Sequence, residues 1–496
     1  MRWVVRFVIM LMLAAPVHAA ILYVDKDQAC PGNGSTGTPY CTIQRALDVV
    51  NPGDTVRIRD SATPYNESAT LSRSGTVGSP IILEPDIGHT PVWNYTGSGA
   101  MTGALNLSNT QYITVQNLTW DGTNTFTSRF AVQLTSPSTN VLGFRFLNNT
   151  IKHWGGSDAQ ANVASLHIGL YLNGSAIGPS GPAINGALIQ GNVFDDVRSR
   201  SIQLAHANNT IIELNEIKNA RCARDGDNAI NTVGVHIFDA NGYDSTGTIV
   251  RNNTIHDFVS RAACGIANAG SYDTMAGVWC DVGSSSGEVS GNRIYNLDAG
   301  DSNAGNHISI GIHIEFHCFQ WRVLNNVVYN IGYYGLSQRT YGNATVSTWT
   351  EPGNQFLNNT VYNVKGMLFA GGYGKLIVKN NIFYGTNASK LIGATGVSGQ
   401  YTIDYNLYFD PSGDTHTGFW DPNAPTSLAT WRTQCNCDAH SLFANPVFVN
   451  TTTGQEDLHL QVTSPGRGSG EGGLDMGAYI SAPATLTPPT NLRVVP

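Results

Sequence analysis

A short phrase that ends in asparagine recurs ten times along the chain, and its spacing strongly constrains the fold. Typical copies are FRFLNN, LIQGN, IIELN, RVLNN and QFLNN. Successive copies lie 22 to 43 residues apart. A fixed phrase at a variable spacing predicts one structural rung per copy, with loops of different length between rungs. The ten asparagines are Asn117, Asn149, Asn192, Asn215, Asn253, Asn292, Asn326, Asn359, Asn381 and Asn406.

Short strands and turns fill the intervals between the asparagines. Segments such as SIQLA, GVHIF and GIHIE are short and largely apolar, charged residues make up only 12% of the chain, and glycine contributes 54 residues. This composition is typical of β structure with many turns. A β-propeller needs roughly 40–50 residues per blade, which excludes it for intervals as short as 22 to 25 residues. We therefore predict an all-β fold, a single-stranded right-handed parallel β-helix of about ten rungs.

The asparagine suits the bend of such a coil. Its side chain can hydrogen-bond local backbone, and it tolerates the left-handed αL conformation. Stacked from rung to rung, these amides should form a ladder.

Different segments precede and follow the repeats. Arg2 and Arg6 stand before an apolar run and small residues at 17–19, the pattern of a secretory signal peptide. Helical spacing over 43–50, with Thr42 as the N-cap, predicts an amphipathic helix that covers the apolar end of the first rung. We predict a signal peptide at 1–19, an N-terminal cap with the first strands at 20–104, the β-helix at 105–410, a C-terminal cap at 411–480 and a Pro/Thr-rich tail at 481–496.

Charge and hydropathy limit the partners. The net charge of −8 argues against nucleic acid, and no apolar run reaches the roughly 20 residues that a membrane span needs. We expect a secreted monomer, extracellular or periplasmic, whose substrate is a polysaccharide or oligosaccharide.

Eight cysteines in a secreted chain predict disulfides. Cys30 and Cys41 bracket a Gly/Pro turn and should pair with each other. Cys435 and Cys437 are too close in sequence for an ordinary mutual bridge, so we expect partners elsewhere. The remaining four could staple loops between rungs, and the absence of any CxxC pair in the sequence argues against a zinc site.

The rung phrase, the helix after YVDKD and the closing segments HSLFANPVFV, DLHLQ and DMGAY resemble bacterial secreted proteins of the pectin-lyase-like β-helix superfamily. The resemblance covers nearly the whole mature chain. It implies the fold and leaves the reaction open, because that superfamily includes polysaccharide lyases, glycoside hydrolases, epimerases and phage adhesins.

Aligning one strand of each rung on its glycine predicts two columns of side chains that point outward. Strands are about 4.8 Å apart, so Asp281 and Glu315 should lie side by side, with Arg339 beyond Glu315. The column of third positions reads Tyr171, Gln203, His236, Trp279, His313, Ser337 and Leu368. The column of fifth positions reads Asn173, Ala205, Phe238, Asp281, Glu315, Arg339 and Ala370.

Two carboxylates at this spacing suit glycosidic cleavage with retention, which uses a pair about 5–5.5 Å apart. The pattern GVWCD…GIHIE is similar to the β-helical β-xylosidase family of glycoside hydrolases. That resemblance implies Asp281 as nucleophile and Glu315 as acid/base, whereas the extra segment at 300–308 departs from the pattern. The predicted substrate-binding residues are Trp279, His236, His313, Arg339, Tyr334 and Tyr341.

The sequence favours a secreted enzyme that cleaves glycosidic bonds, a retaining glycoside hydrolase without a cofactor or metal. One alternative is a polysaccharide lyase, in which Asp281 and Glu315 hold Ca²⁺ against a uronate and Arg339 is the base. Another alternative is a non-catalytic adhesin that binds glycans through its exposed aromatic residues.

Overall fold

The computed structural model describes most of the chain between residues 19 and 479. Apart from Ala19, the predicted signal peptide and the predicted tail lie outside the described residues. The described ranges are 19–96, 102–122, 129–155, 167–174, 181–221, 223–225, 228–238, 245–259, 273–297, 307–340, 353–372, 375–386, 390–395, 401–419 and 426–479.

Three faces of parallel strands wind around one core. The first face is a thirteen-stranded sheet whose strands mostly lead into the repeated asparagine. Each strand pairs in parallel with the strand of the next coil. Its strands are Ile21–Val24, Thr55–Ile58, Ile81–Pro85, Ile113–Gln116, Arg145–Leu147, Leu188–Gln190, Ile211–Glu213, Ile249–Arg251, Glu288–Ser290, Arg322–Leu324, Asn354–Leu357, Leu376–Lys379 and Tyr401–Asp404.

The second and third faces belong to one 22-stranded sheet, because Val327–Thr340 and Thr360–Gly372 run from one face into the other. The second face follows the asparagines and also contains Val92–Trp93, Thr119–Asp121, Thr150–Trp154, Val193–Val197, Glu216–Lys218, Thr254–Phe258, Arg293–Leu297, Ile382–Tyr384, Leu407–Phe409 and Leu442–Phe443. The third face also contains Ala69–Leu71, Gly103–Ser108, Phe130–Ser136, Ile168–Gly174, Arg200–Ala205, Thr232–Phe238, Asp273–Val282, His307–Glu315, Lys390–Thr395 and Gly418–Phe419.

Smaller elements complete the described structure. Short parallel ladders at one corner are formed by Val141–Leu142, Ile184–Asn185 and Ala207–Asn208, and by Ser284–Ser285 and Cys318–Phe319. Two hairpins join Ala223–Asp225 to Asn228–Ile230 and Phe448–Asn450 to Asp457–Leu460. The helices are Ile43–Val49, Leu428–Cys435 and the 3₁₀ turn Glu471–Gly473. None of the described helices is long and apolar enough to cross a bilayer. The prediction of an all-β right-handed parallel β-helix is confirmed.

A continuous amide ladder lies at the corner between the first and second faces. From Asn149 to Asn406, the backbone N–H and side-chain amide of each asparagine donate to Oδ1 of the next, at 2.8–3.2 Å. The predicted ladder is therefore confirmed for nine of the ten asparagines. Asn117 is the exception, because Leu118 occupies the ladder position and its N–H donates to Asn149 Oδ1 at 3.0 Å.

The αL residue of each bend is the neighbour of the ladder asparagine. Asn148, Asn252 and Asn325 have φ values of 54° to 55°, and Asn117 belongs to this set with φ 57°. Our expectation that one asparagine both bends the chain and forms the ladder was therefore wrong. Two adjacent positions divide these tasks, since the ladder amide must point inward between coils.

The predicted N-terminal helix is confirmed as Ile43–Val49. The Thr42 hydroxyl caps it by accepting from the Arg45 N–H, and Ile43, Ala46 and Leu47 are buried. These apolar side chains belong to the same core cluster as Val24 and the residues of the first coils.

The C-terminal segment packs back along the second face. Phe448, Leu458 and Met476 form a buried cluster with Tyr329 and Tyr362 of much earlier coils. Asn330 donates to Glu456 at 3.0 Å, and the Ala478 N–H donates to Thr360 at 2.9 Å. The last residues thus cover side chains that their own coils leave exposed.

The disulfides confirm one prediction and correct another. Cys30 pairs with Cys41 as expected. Cys435 pairs with Cys437, contrary to our prediction, because the αL conformation of Asn436 brings their Cα atoms to 5.1 Å. A third disulfide joins Cys280 to Cys318, and no free cysteine occurs among the described residues.

Candidate active site

The third face carries the predicted column of side chains. Backbone pairing sets Tyr171 opposite Gln203, Gln203 opposite His236, and His236 opposite Trp279. The column continues to His313 and Ser337. Six of its seven predicted members are therefore in register.

The seventh predicted member, Leu368, does not belong to the column. Pairing sets Leu336 opposite Leu368 and Ser337 opposite Phe369, so Leu368 is a core position. Gly366 pairs with Tyr334, and we had aligned it with Gly335. The alignment fails because the pairing of Val327–Thr340 with Thr360–Gly372 shifts by one residue between Ile331 and Tyr334. Phe369 and Gly371 therefore take the column positions that we had assigned to Leu368 and Ala370.

A β-bulge interrupts the fifth-position column at Asp281. Cys280 pairs with Ile237, but Phe238 pairs with Val282, which leaves Asp281 as the extra residue on its strand. The predicted pairing of Phe238 with Asp281 is therefore wrong. Bulges of this kind re-aim a side chain, and here Asp281 Oδ2 lies 3.2 Å from His236 Nε2.

Glu315 occupies the adjacent strand. Cys280 pairs with Ile314, so Asp281 and Glu315 directly follow a paired position. Glu315 Oε2 lies 3.1 Å from His313 Nε2, and Glu315 pairs with Arg339 in the backbone register, as predicted. Each carboxyl group therefore has a histidine of the neighbouring column at hydrogen-bond distance.

Both carboxyl groups are nearly closed to solvent. The side chains of Asp281 and Glu315 are 14% and 8% exposed, and those of His236 and His313 are 0% and 1% exposed. We had predicted that both side chains point outward from the coil. Ile312 and Ile314, which alternate with His313 and Glu315 along the strand, belong to the core cluster, so the site side chains do lie outside the coil. Other residues nevertheless cover them.

Burial and the neighbouring carboxylate of Glu315 raise the pKa of Asp281 to about 7, against a smaller opposite effect of Arg200. Burial also lowers the pKa of His236 well below its usual value, with Arg200 acting in the same direction. His236 is therefore neutral at physiological pH. The raised pKa keeps part of Asp281 protonated near neutral pH.

The aromatic ring of Trp279 lies between the two histidines. Its ring centroid is 5.1 Å from that of His236 and 5.6 Å from that of His313. Among the described residues, no partner reaches the buried Nε1 of Trp279 or the buried Nδ1 atoms of the two histidines. Three buried polar atoms in one row thus lack a partner among the described residues.

The two predicted tyrosines fare differently. Tyr334 is half-buried, packs edge-on against Tyr333 at 4.4 Å, and has Arg339 within electrostatic reach. Burial raises its pKa well above the usual value. Tyr341 lies outside the described residues.

Arg200 is the residue that our sequence reasoning missed. It begins the strand Arg200–Ala205, is 7% exposed, and acts on the pKa values of both Asp281 and His236. It precedes the aligned segment SIQLA, so no column included it, and only its long side chain brings it to the site.

The disulfide between Cys280 and Cys318 joins the strand of Asp281 to the turn after Glu315. It ties together the two coils that carry the acid pair. Among the described residues, no group of three or more His, Cys, Asp or Glu side chains is placed to hold a metal ion.

The sequence matches no family model and none of the curated proteins. Solved structures do resemble the chain. It matches a GH136 lacto-N-biosidase from Eubacterium ramulus with a TM-score of 0.54 at 12% identity, over 82% of this chain and 66% of that one. This chain therefore spans just under two thirds of that protein. It also matches XylC in complex with xylose, with a TM-score of 0.53 at 12% identity, over 88% of each chain. These likenesses show the fold.

Proposed function

We propose that this protein is a secreted carbohydrate-active enzyme that cleaves glycosidic bonds as a retaining glycoside hydrolase. The observation that carries the proposal is the pair of nearly buried carboxyl groups, Asp281 and Glu315, on adjacent strands of the third face. Each has a histidine partner, at 3.2 and 3.1 Å. Cleavage with retention requires two carboxyl groups that flank the glycosidic bond, one of them ionised and the other protonated.

Each carboxyl group takes one role. Asp281, as its ionised form, attacks the anomeric carbon, while Glu315 donates its proton to the departing glycosidic oxygen. Glu315 then accepts a proton from water, and that water displaces Asp281 and restores the pair. The family resemblance implies this order. The raised pKa of Asp281 opposes it, so the reacting form is the fraction of molecules in which Asp281 is ionised and accepts Nε2–H of the neutral His236.

Trp279, His236 and His313 are the proposed sugar-binding residues. Their ring nitrogens have no partner among the described residues and suit the hydroxyl groups of a sugar. Arg339 lies opposite Glu315 in register and would act on the same side of the cleaved bond as the proton donor. Tyr334 and Tyr341 remain proposed contributors.

Two lines of support come from outside the acid pair. Lacto-N-biosidase and the xylose-bound XylC, which share the fold, are named for carbohydrate. The three disulfides of the described residues fit an oxidising, extracytoplasmic compartment.

A panel of plant and marine polysaccharides tests the proposal. Hydrolysis yields new reducing ends without ultraviolet-absorbing products, and NMR should show that the first product keeps the anomeric configuration. Asp281→Ala and Glu315→Ala should each lower kcat by orders of magnitude with a melting temperature within a few degrees of wild type. Full activity in both variants would refute the assignment.

The same panel separates the alternatives. Unsaturated uronate products and a loss of activity with EDTA would identify a Ca²⁺-dependent lyase. Glycan binding that survives Asp281→Asn and Glu315→Gln, without turnover by the wild type, would identify an adhesin. A 2-fluoro glycoside that traps an ester on Asp281 supports the proposed nucleophile, and an ester on Glu315 reverses the roles.

A further inference from the structure

Arg200 is a buried cation with few partners. Its Nη1 donates to Gln203 Oε1 at 2.6 Å, and its guanidinium lies 5.8 Å from the centre of the Phe238 ring. Its Nε is buried without an acceptor. Among the described residues, no carboxylate oxygen forms an ion pair with it within 4.0 Å.

This arrangement is costly when the site is empty. A guanidinium has five N–H donors, and a buried charge needs an opposite charge or several acceptors to offset the loss of water. Among the residues that the structure describes, the one acceptor of Arg200 is a neutral amide oxygen of Gln203, which is itself only 5% exposed. Burial accordingly lowers the pKa of Arg200 to about 10.

Asp281 does not neutralise this charge. Its oxygen Oδ2 is engaged by His236, and burial keeps much of the carboxyl group protonated near neutral pH. The two groups influence each other electrostatically without an ion pair. No carboxylate of the described residues therefore balances the charge of Arg200 at contact distance.

An aromatic surface adjoins the same position. Tyr171 is in register with Gln203 on the preceding strand, is half-buried, and lies flat on Phe130 at 5.1 Å and 14°. A ring held this way can stack against one face of a sugar. A cation, a buried amide and a ring therefore line the side of the acid pair that faces the N-terminal coils.

We propose that Arg200 and Gln203 form an anion-binding subsite, so that the substrate is a glycan with a carboxylate or sulfate group on a sugar close to the cleaved bond. The inference rests on the proposed function, because the acid pair marks the point of cleavage, and it holds for hydrolysis and elimination alike. The net charge of −8 weakens long-range attraction of such a polymer, whereas a local cation acts at contact distance.

Binding to an inactive protein provides the test. In the Glu315→Gln background, calorimetry compares a uronic acid oligosaccharide, its carboxyl-reduced derivative and a sulfated oligosaccharide of equal length. At least one anionic ligand should bind about 10- to 100-fold more tightly than the reduced one, the range for hydrogen bonds to charged groups. The preferred anion identifies the group that the subsite takes.

Arg200→Met should remove that preference and leave the affinity for the reduced ligand unchanged. Arg322→Met makes the same charge change on the first face and should keep the preference. Arg200→Met should also melt at the same temperature as its parent or higher, since it removes a buried charge. If Arg200→Met does not fold, Arg200→Lys can replace it. Lysine keeps the charge without the planar set of guanidinium donors, so it should retain only part of the preference for anionic ligands.

Equal binding of charged and reduced ligands, or equal weakening of both by the Arg200 variant, would overturn the subsite. These measurements need no turnover, so they remain decisive if hydrolysis is never observed. Conversely, cleavage of neutral glycans only, without any preference for anions, would leave the proposed function standing and refute this inference.

Discussion

Replacing Asp281 by asparagine should make the protein more stable at neutral and alkaline pH. The carboxyl group of Asp281 is buried beside Glu315, and its pKa in the folded state is raised from 3.8 to about 7. A carboxyl group whose pKa is higher in the folded than in the unfolded state does not lower the free energy of unfolding at pH values below its unfolded pKa. It lowers the free energy of unfolding as pH rises towards and through its folded pKa. Asparagine has similar shape and no charge.

The size of the effect follows from the shift. About three pKa units at 1.36 kcal/mol each give roughly 4 kcal/mol of lost stability above pH 7, and the residual 14% exposure of the side chain reduces this to about 2–4 kcal/mol. Unfolding entropy is roughly 2.1 cal/mol/K per residue, so a chain of this length should gain only about 2–4 °C in melting temperature.

Scanning fluorimetry at one heating rate, from pH 4 to pH 9, measures this difference. Wild type and Asp281→Asn should melt together near pH 4 and separate progressively up to about pH 8. Asp257→Asn is a control on the second face. Hydrogen bonds from Asn296 and His256 outweigh burial and lower the pKa of Asp257, so this variant should melt below wild type by an offset that is nearly constant above about pH 4. Parallel curves for wild type and Asp281→Asn at all pH values would refute the electrostatic account of the pair.

Three further outcomes test the framework around the site. Asn292→Ala removes a ladder amide that bonds both neighbouring coils, and should cost about 3 kcal/mol or more in urea unfolding, whereas the exposed Asn296→Ala should cost under about 1 kcal/mol. Equal costs would contradict the role of the inner ladder. Loss of the Cys280–Cys318 disulfide by double serine substitution should cost about 2–5 kcal/mol and lower kcat as well, because it separates the coils of the acid pair. Activity of wild type should follow a bell-shaped pH profile with one limb near pH 7, and a flat profile between pH 5 and 9 would exclude Asp281 from the reaction.

The fold was predictable because each ladder bond requires the same residue type in every coil. One amide satisfies its own coil and the next, so the asparagine repeats in sequence wherever a coil repeats in space. Asn117 shows the limit of this signal. The αL position before the ladder also favours asparagine, and at that coil the backbone of Leu118 completes the ladder without an amide.

The acid pair was predictable from strand alternation and equal strand spacing, which place residues on neighbouring coils in register. The bulge at Asp281 was not predictable, because it depends on how the third-face strand fits its neighbour over several residues. The burial of the pair was also missed. Alternation shows which side chains leave the core, but it does not show what covers them.

The path of the C-terminal segment has a consequence for biosynthesis. Tyr329 and Tyr362 gain their cover from Phe448 and later residues, about 85 to 150 positions further along the chain. When every coil has been synthesised, the nascent chain therefore still exposes an apolar strip along its second face. Only the C-terminal residues, which are translated last, cover this strip. A prematurely terminated chain would form the coils but keep the apolar strip exposed, so it would be prone to self-association and to degradation by quality-control proteases.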